Sequence, residues 1–185
     1  MGSSDSFLWL DGRVRIKDYK TEDKMSNYVA YTDGGFDMQT CVGASSVVLL
    51  DDEEREILYQ HVTARKCEYD PQKKQRMNEQ EIGAIIRACM SVPDGSFLKI
   101  VSDSQYAVNV LSGKYNAYSN LELIARFKKE VAARRLKVEF EWTRGHNGNK
   151  YNELADRMCT DAMNKILAEP IGTIKCFKSD VNRCF

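Results

Sequence analysis

The residues best suited to chemistry in this sequence are four carboxylates that lie far apart along the chain. Asp33 and Asp103 each end a strand-like run. Glu81 and Asp156 each lie near the start of a helical pattern. A carboxylate at the edge of a buried face is costly unless a basic side chain or a metal ion faces it. Four acids in such positions predict one shared site.

A cluster of this kind points to divalent cations. Two ionised carboxylates about 4 to 5 Å apart repel by roughly 3 to 4 kcal/mol at an effective dielectric constant of about 20. Four together therefore either take up protons or bind cations. Carboxylate oxygens suit Mg²⁺ or Mn²⁺, which keep waters and phosphate oxygens as further ligands. Two such ions about 4 Å apart activate a water and stabilise the leaving oxygen of a phosphodiester. The pattern thus predicts hydrolysis of a nucleic-acid backbone.

The stretch WTRGHNGNKYNELAD, residues 142–156, combines a strand end, a Gly/Asn loop and a helix start. The loop carries His146, and Asn149 is predicted to cap the helix that displays Asp156. An alternative reading pairs Asp156 with a neighbouring arginine.

Composition indicates one compact domain. The chain has 185 residues, 43% of them hydrophobic, with 27 basic and 27 acidic residues. This balance gives no global signature of a nucleic-acid binder, so such a role requires local patches. The sequence contains no run of eighteen apolar residues and no secretory signal pattern. We expect a monomeric cytoplasmic protein with no membrane contact. Its six cysteines form no CxxC pair, which fits buried thiols in a reducing compartment better than a zinc site.

Residues 27–168 are predicted to form the catalytic domain, between an N-terminal extension with a possible hairpin at 1–26 and a C-terminal tail at 169–185. Strands are predicted at 28–33, 42–50, 54–64, 97–101 and 137–142, and helices at 79–91, 104–111, 119–134 and from 149 onward. The order is βββαβααβα, or βββαβαβα if the short helix at 104–111 merges with the helix at 119–134. This order predicts an α/β fold, with an antiparallel meander continuing into parallel strands and helices on both sides. The first and fourth strands can then be neighbours, which brings Asp33 and Asp103 to one end of the sheet.

Four motifs resemble those of type 1 ribonuclease H. They are TDGG from Thr32, NEQE from Asn78, SDSQY from Ser102, and RGHNG followed by NELAD ending in Asp156. The resemblance spans residues 27–168 and implies the ribonuclease H-like mixed five-stranded sheet.

The resemblance also implies roles. Asp33 would bridge two Mg²⁺ ions, with Mn²⁺ as a substitute. Glu81 and Asp103 would complete the site on the nucleophile side, and Asp156 would hold the second ion. His146 would assist proton transfer or product release. Family enzymes cut the RNA strand of RNA/DNA hybrids and leave 5′-phosphates, so the expected partner is a hybrid duplex.

Substrate contacts are implied at Asn78 and Gln105, with backbone groups near Gly34 and Gly35. Selectivity for RNA requires groups that recognise 2′-hydroxyls on one strand. Asn78 has a second interpretation as the cap of the following helix. Arg76 stands where the family usually has a threonine that helps to hold a DNA phosphate, and its charge is expected to substitute.

The sequence departs from the family between the second and third predicted helices. Only SGKYNAYS lies there, so the basic protruding segment of many members is missing. We therefore expect weak, salt-sensitive hybrid binding.

The sequence leaves three other interpretations of the function open. A related nuclease of the same superfamily, such as a resolvase, an integrase core or an exonuclease, would use a similar acid cluster on another nucleic acid. A catalytically weak hybrid-binding module is a second reading, and a carbohydrate or phosphate hydrolase with paired acids is a third.

Overall fold

The computed structural model describes residues 26–54, 56–66 and 76–168. The predicted N-terminal hairpin and the C-terminal tail lie outside these ranges. In none of the described helices is there a stretch long and apolar enough to cross a bilayer.

Five strands and four helices make up the described fold. In chain order they are β1 (Asn27–Asp37), β2 (Val42–Asp51), β3 (Ile57–Lys66), α1 (Arg76–Met90), β4 (Phe97–Ser102), α2 (Gln105–Leu111), α3 (Leu121–Ala133), β5 (Lys137–Trp142) and α4 (Lys150–Ala168). The strands form one sheet in the order β3-β2-β1-β4-β5. β1 pairs antiparallel with β2 and β2 with β3, whereas β1 pairs parallel with β4 and β4 with β5. The predicted mixed five-stranded sheet is confirmed.

The short helix α2 stays separate from α3, so the order is βββαβααβα. α2 ends at Leu111 with Ser112 as its C-cap, and Gly113 follows with a φ of 79°. Asn120, just before α3, also has a left-handed φ of 57°. A continuous helix is incompatible with left-handed backbone at these two positions.

Helices cover both faces of the sheet, which explains why β1 and β2 are almost entirely buried. On one face, Ala30, Val47 and Ile100 pack in a core cluster with the inward residues of α1. On the other face, Tyr31 and Val48 pack against α4. The Oγ of Ser46 donates a hydrogen bond to the carbonyl of Ala155 at 2.8 Å, which fastens α4 to β2.

Two predicted boundaries are wrong in a way that matters for the site. β1 continues to Asp37, so Asp33 lies within the strand rather than at its end. The reason is that the antiparallel ladder with β2 continues through Gly34 and Gly35, whereas the parallel ladder with β4 stops at Thr32. α1 begins at Arg76 and not at residue 79. Asn78 therefore lies inside its first turn, and its predicted role as the helix cap is wrong.

Candidate active site

The neighbouring parallel strands β1 and β4 bring two of the acids together. Their last paired residues are Thr32 and Ser102. Asp33 and Asp103 each follow directly, so both carboxylates lie at the same edge of the parallel ladder. The Nε1 of Trp142, at the end of β5, donates to the backbone carbonyl of Asp103 at 3.0 Å.

A close contact between β1 and α1 brings the third acid, Glu81, to the same place. A Cβ atom on Gly34 would lie 2.4 Å from the backbone nitrogen of Glu81 and 2.6 Å from the carbonyl carbon of Gln80. Real Cβ atoms do not approach backbone atoms this closely, so only glycine permits the contact. One carboxylate oxygen from each of Asp33, Glu81 and Asp103 then lies within 4.8 Å of the other two.

Burial and mutual repulsion disfavour the charged forms of this cluster. Asp33 is 8% exposed and Glu81 is 6% exposed. Burial raises the pKa of Asp33 to about 6, and the charges of Asp103 and Asp156 add to the rise. Burial also raises the pKa of Glu81 well above its usual range, with further contributions from Asp33 and Asp103.

The same cluster fits a divalent cation. The Oε2 of Glu81 is buried and has no hydrogen-bond partner among the described residues. Three converging carboxylates, one with an unsatisfied buried oxygen, form the donor set that hard cations such as Mg²⁺ and Mn²⁺ prefer. A cation would offset both the desolvation of the acids and their repulsion.

Asp156 and His146 lie at the exposed side of this cluster. Asp156 is outside the group of three, but its charge acts on Asp33. The Nδ1 of His146 lies 3.9 Å from the Oδ2 of Asp156, and the two side chains are 82% and 41% exposed. Among the residues that the structure describes, Asp156 is thus paired with the histidine and not with an arginine.

The loop that carries His146 is shaped by its neighbours. A Cβ atom on Gly145 would lie 2.7 Å from the Oδ2 of Asp103, so the loop passes directly against this acid. His146 itself has a left-handed φ of 51°. Asn149 caps α4, as predicted, because its Oδ1 accepts hydrogen bonds from the backbone nitrogens of Tyr151 and Asn152.

Two further residues contact the acids and were missed by the sequence patterns. The Nδ2 of Asn152 donates to the Oδ2 of Asp103 at 3.4 Å. The thiol of Cys159 donates to the backbone carbonyl of Asp33 at 3.5 Å. The spacing to Asp156 offers the only signal, since residues three or four positions away on a helix share its face.

The predicted substrate contacts lie on elements that carry one of the acids or closely follow one in the chain. Gly34 and Gly35 follow Asp33 in β1, and Arg76 and Asn78 occupy the first turn of α1. Gln105 is exposed and begins α2, two residues after Asp103.

Comparison with known proteins gives consistent matches. The family model for RNase H matches residues 25–164. Ribonuclease H from Anaeromyxobacter dehalogenans (strain 2CP-C) is 30% identical over 98 residues, which cover 46% of this chain and 52% of that protein. Ribonuclease H from Trichodesmium erythraeum (strain IMS101) is 24% identical over 159 residues, which cover 78% of this chain and 93% of that protein. The chain spans about half the length of the first relatives that it matches.

Solved structures share the fold at low sequence identity. The N-terminal RNase H domain of a Mycobacterium tuberculosis protein superposes with a TM-score of 0.64 at 18% identity, covering 77% of this chain and 96% of that one. LC11-RNase H1, solved in complex with an RNA/DNA hybrid, gives a TM-score of 0.63 at 20% identity, covering 76% and 99%. Because the family model matches well over half of the sequence, this chain belongs to the RNase H family.

Proposed function

We propose that this protein is an endonuclease that hydrolyses the RNA strand of RNA/DNA hybrids and leaves 5′-phosphate ends. The observation that carries the proposal is the convergence of Asp33, Glu81 and Asp103 within 4.8 Å. Paired with membership of the RNase H family, this cluster favours phosphodiester hydrolysis over a purely binding role, because a binding module has no use for buried acids that repel one another.

Divalent ions, two Mg²⁺ or Mn²⁺ in this proposal, would supply Lewis-acid stabilisation of charge on the phosphodiester oxygens and lower the pKa of a bound water. The charges of both Asp103 and Asp156 raise the pKa of Asp33, so this carboxylate is within electrostatic range of both acids. The resemblance to the family implies that Asp33 would be a ligand to both ions, and the charges that act on it are in keeping with that role. Glu81 and Asp103 would hold the ion on the nucleophile side, and Asp156 would hold the other.

His146 is proposed to move a proton during the reaction or to assist product release. Its imidazole is mostly exposed and lies 3.9 Å from Asp156, so it can exchange protons with solvent while staying near the acids. An imidazole can both accept and donate a proton, which suits this task.

We propose the substrate from the polar and charged groups that lie near the acids. Gln105 and Asn78 carry amide groups that can accept from or donate to 2′-hydroxyls on successive nucleotides. The backbone near Gly34 and Gly35 offers further polar groups. Arg76 adds a positive charge that favours a DNA phosphate.

We further propose a monomer that works in the cytoplasm. Cys41, Cys89 and Cys159 are free thiols, which is typical of proteins from reducing compartments.

The test is cleavage of end-labelled RNA/DNA hybrid, RNA duplex, DNA duplex and a four-way junction, each with Mg²⁺, Mn²⁺ or chelator. We expect cleavage only of the RNA in the hybrid, and only with a divalent ion. Asp103→Asn should lower the rate at least about 1,000-fold, or about 4 kcal/mol of transition-state stabilisation, because it removes a charged ligand without changing shape.

Asp161→Asn is the matched control, because it removes an exposed acid of α4 that lies outside the cluster. It should cut at the wild-type rate. Full activity of Asp103→Asn would refute the assignment of the site. Binding of the hybrid by the wild type without cleavage in either metal would favour the binding-module reading.

A further inference from the structure

Asn152 is a fully buried polar side chain next to the candidate active site. It lies on α4 one turn before Asp156, and 2% of its surface is exposed. Burying an amide is unfavourable unless hydrogen bonds replace its contacts with water. Packing alone therefore does not account for an amide at this position.

The hydrogen bonds that form the start of α4 do not account for the amide of Asn152 either. Asn149 caps the helix, and its Oδ1 accepts from the backbone nitrogen of Asn152 at 3.2 Å. The Oε1 of Glu153 accepts from the backbone nitrogen of Gly148 at 3.0 Å and closes the same turn. These bonds form without the side chain of Asn152, so helix formation does not require an amide there.

The contact that the amide does make is with an acid of the cluster. Its Nδ2 donates to the Oδ2 of Asp103 at 3.4 Å, and its Oδ1 is buried without a partner among the described residues. The reverse orientation of the amide would set an oxygen against a carboxylate oxygen, and two acceptors repel each other. The donor orientation is therefore the favourable one.

The hydrogen bond from Asn152 opposes the electrostatic repulsion that acts on the carboxylate of Asp103. Its carboxylate lies within 4.8 Å of those of Asp33 and Glu81, and like charges at this distance repel. A carboxylate that could rotate freely would turn away from the other two. The loop at Gly145 limits this rotation by steric contact, and the amide of Asn152 adds an attractive contact.

We propose that Asn152 is a positioning residue that keeps the Asp103 carboxylate turned toward Asp33 and Glu81 for cation binding. Its consequence for cleavage rests on the proposed function. Partners that orient ligands in this way typically contribute 10- to 100-fold to metal affinity or activity.

The experiment compares the wild type with Asn152→Leu, which has a similar size but no amide, and with Asn152→Ser, which keeps a shorter donor. Two quantities are measured: the rise in Tm on adding Mn²⁺, and the Mg²⁺ concentration that gives half-maximal cleavage of a labelled hybrid. For Asn152→Leu we expect a smaller Mn²⁺-induced rise, a half-maximal Mg²⁺ concentration at least about tenfold higher, and a KM for hybrid within about twofold of wild type. Asn152→Ser should lie between the two.

Asn149→Ala is the structural control, because it weakens the start of α4 and leaves the amide of Asn152 in place. It should lower Tm without changing the Mg²⁺ requirement. An unchanged Mg²⁺ requirement and Mn²⁺ response in Asn152→Leu, or in Asn152→Ser if the leucine variant does not fold, would overturn the inference. So would an equal change in Asn149→Ala. The Mn²⁺ response needs no cleavage, so a wild type that binds Mn²⁺ but leaves the hybrid intact would refute the proposed function alone.

Discussion

The candidate active site has a buried half and an exposed half, and the fold holds them differently. Asp33 and Glu81 are less than one tenth exposed and are fixed by the central strand and by the first helix. The side chains of Asp156 and His146 are 41% and 82% exposed and depend on a loop and on the last helix. Geometry in the buried half follows from core packing, whereas geometry in the exposed half follows from a few local contacts.

The difference also appears in the energetics. Burial raises the pKa values of Asp33 and Glu81, the charges of neighbouring carboxylates add to the rise, and a bound cation would relieve this electrostatic cost. The exposed pair is screened by water, so its charge interaction contributes little to stability. We infer that changes in the buried half affect both activity and stability, and that changes in the exposed half affect mainly activity.

The largest effect is expected for Asp33→Asn. It should lower cleavage at least about 1,000-fold, because it removes the proposed bridging ligand. In chelator it should also stabilise the protein at neutral pH. The folded pKa of Asp33 is about 6, above its usual value of 3.8, so its favourable contribution is complete below pH 3.8 and is lost as the pH rises through 6.

The measurement is the free energy of unfolding in chelator between pH 4 and pH 7. For the wild type it should fall by roughly 2 to 3 kcal/mol from Asp33 over this range, and Glu81 should act in the same direction. Asp33→Asn should show a smaller fall. Added Mg²⁺ should raise the stability of the wild type at pH 7 and have less effect on the variant. Identical pH profiles for the two proteins would contradict the electrostatic cost assigned to the buried half.

Gly34→Ala should have the next largest effect, on stability first. The added Cβ would meet backbone atoms of α1, which have no flexible side chain to move away. We expect a loss of about 2 to 3 kcal/mol in the free energy of unfolding, together with reduced cleavage as Glu81 is displaced. Gly35→Ala is the matched control for stability. Its Cβ would meet the Sδ of Met163 at 3.2 Å, a flexible side chain, so the loss should be below about 1 kcal/mol. Equal losses would show that the approach of β1 to α1 is not specific to Gly34.

The smallest effect is expected for His146→Ala. Turnover should fall about tenfold, or about 1.4 kcal/mol, because solvent can partly replace an exposed imidazole. His146→Asn should lower turnover to the same extent. Asparagine tolerates the left-handed backbone at this position, so this variant separates the loss of the imidazole from strain in the loop. Multiple-turnover and single-turnover rates measured on the same hybrid distinguish proton transfer from product release. A loss as large as that of Asp33→Asn would remove the distinction between the two halves.

Much of the fold was predictable because local patterns agree with the tertiary structure. The strand predicted at 97–101 corresponds to β4, and Asn149 predicted the start of α4. Asp33 and Asp103 were placed together by strand order alone, since a parallel pair brings the ends of its strands to one edge.

The rest depends on contacts that have no local pattern. Asp33 was predicted to end a strand, but pairing with β2 carries β1 on to Asp37. Asn78 is of a type that often caps helices and indicated a start at residue 79, whereas α1 already includes Arg76. Asn152 and Cys159 contact acids 49 and 126 positions away, and their helical spacing from Asp156 indicates only a shared face, not these contacts.

The attachment of α4 to the sheet has a consequence for when the site forms during synthesis. Asp33, Glu81 and Asp103 all precede α4 in the chain, whereas Asp156 and Asn152 lie on it. Domains assemble as the ribosome delivers them, and until α4 emerges Tyr31 and Val48, on one face of β1 and β2, lack the cover that this helix supplies. A nascent chain that stops before residue 150 would hold three of the acids and lack the helix that supplies the fourth. Docking of α4 therefore adds its part of the core and the fourth acid of the proposed cation site in the same step.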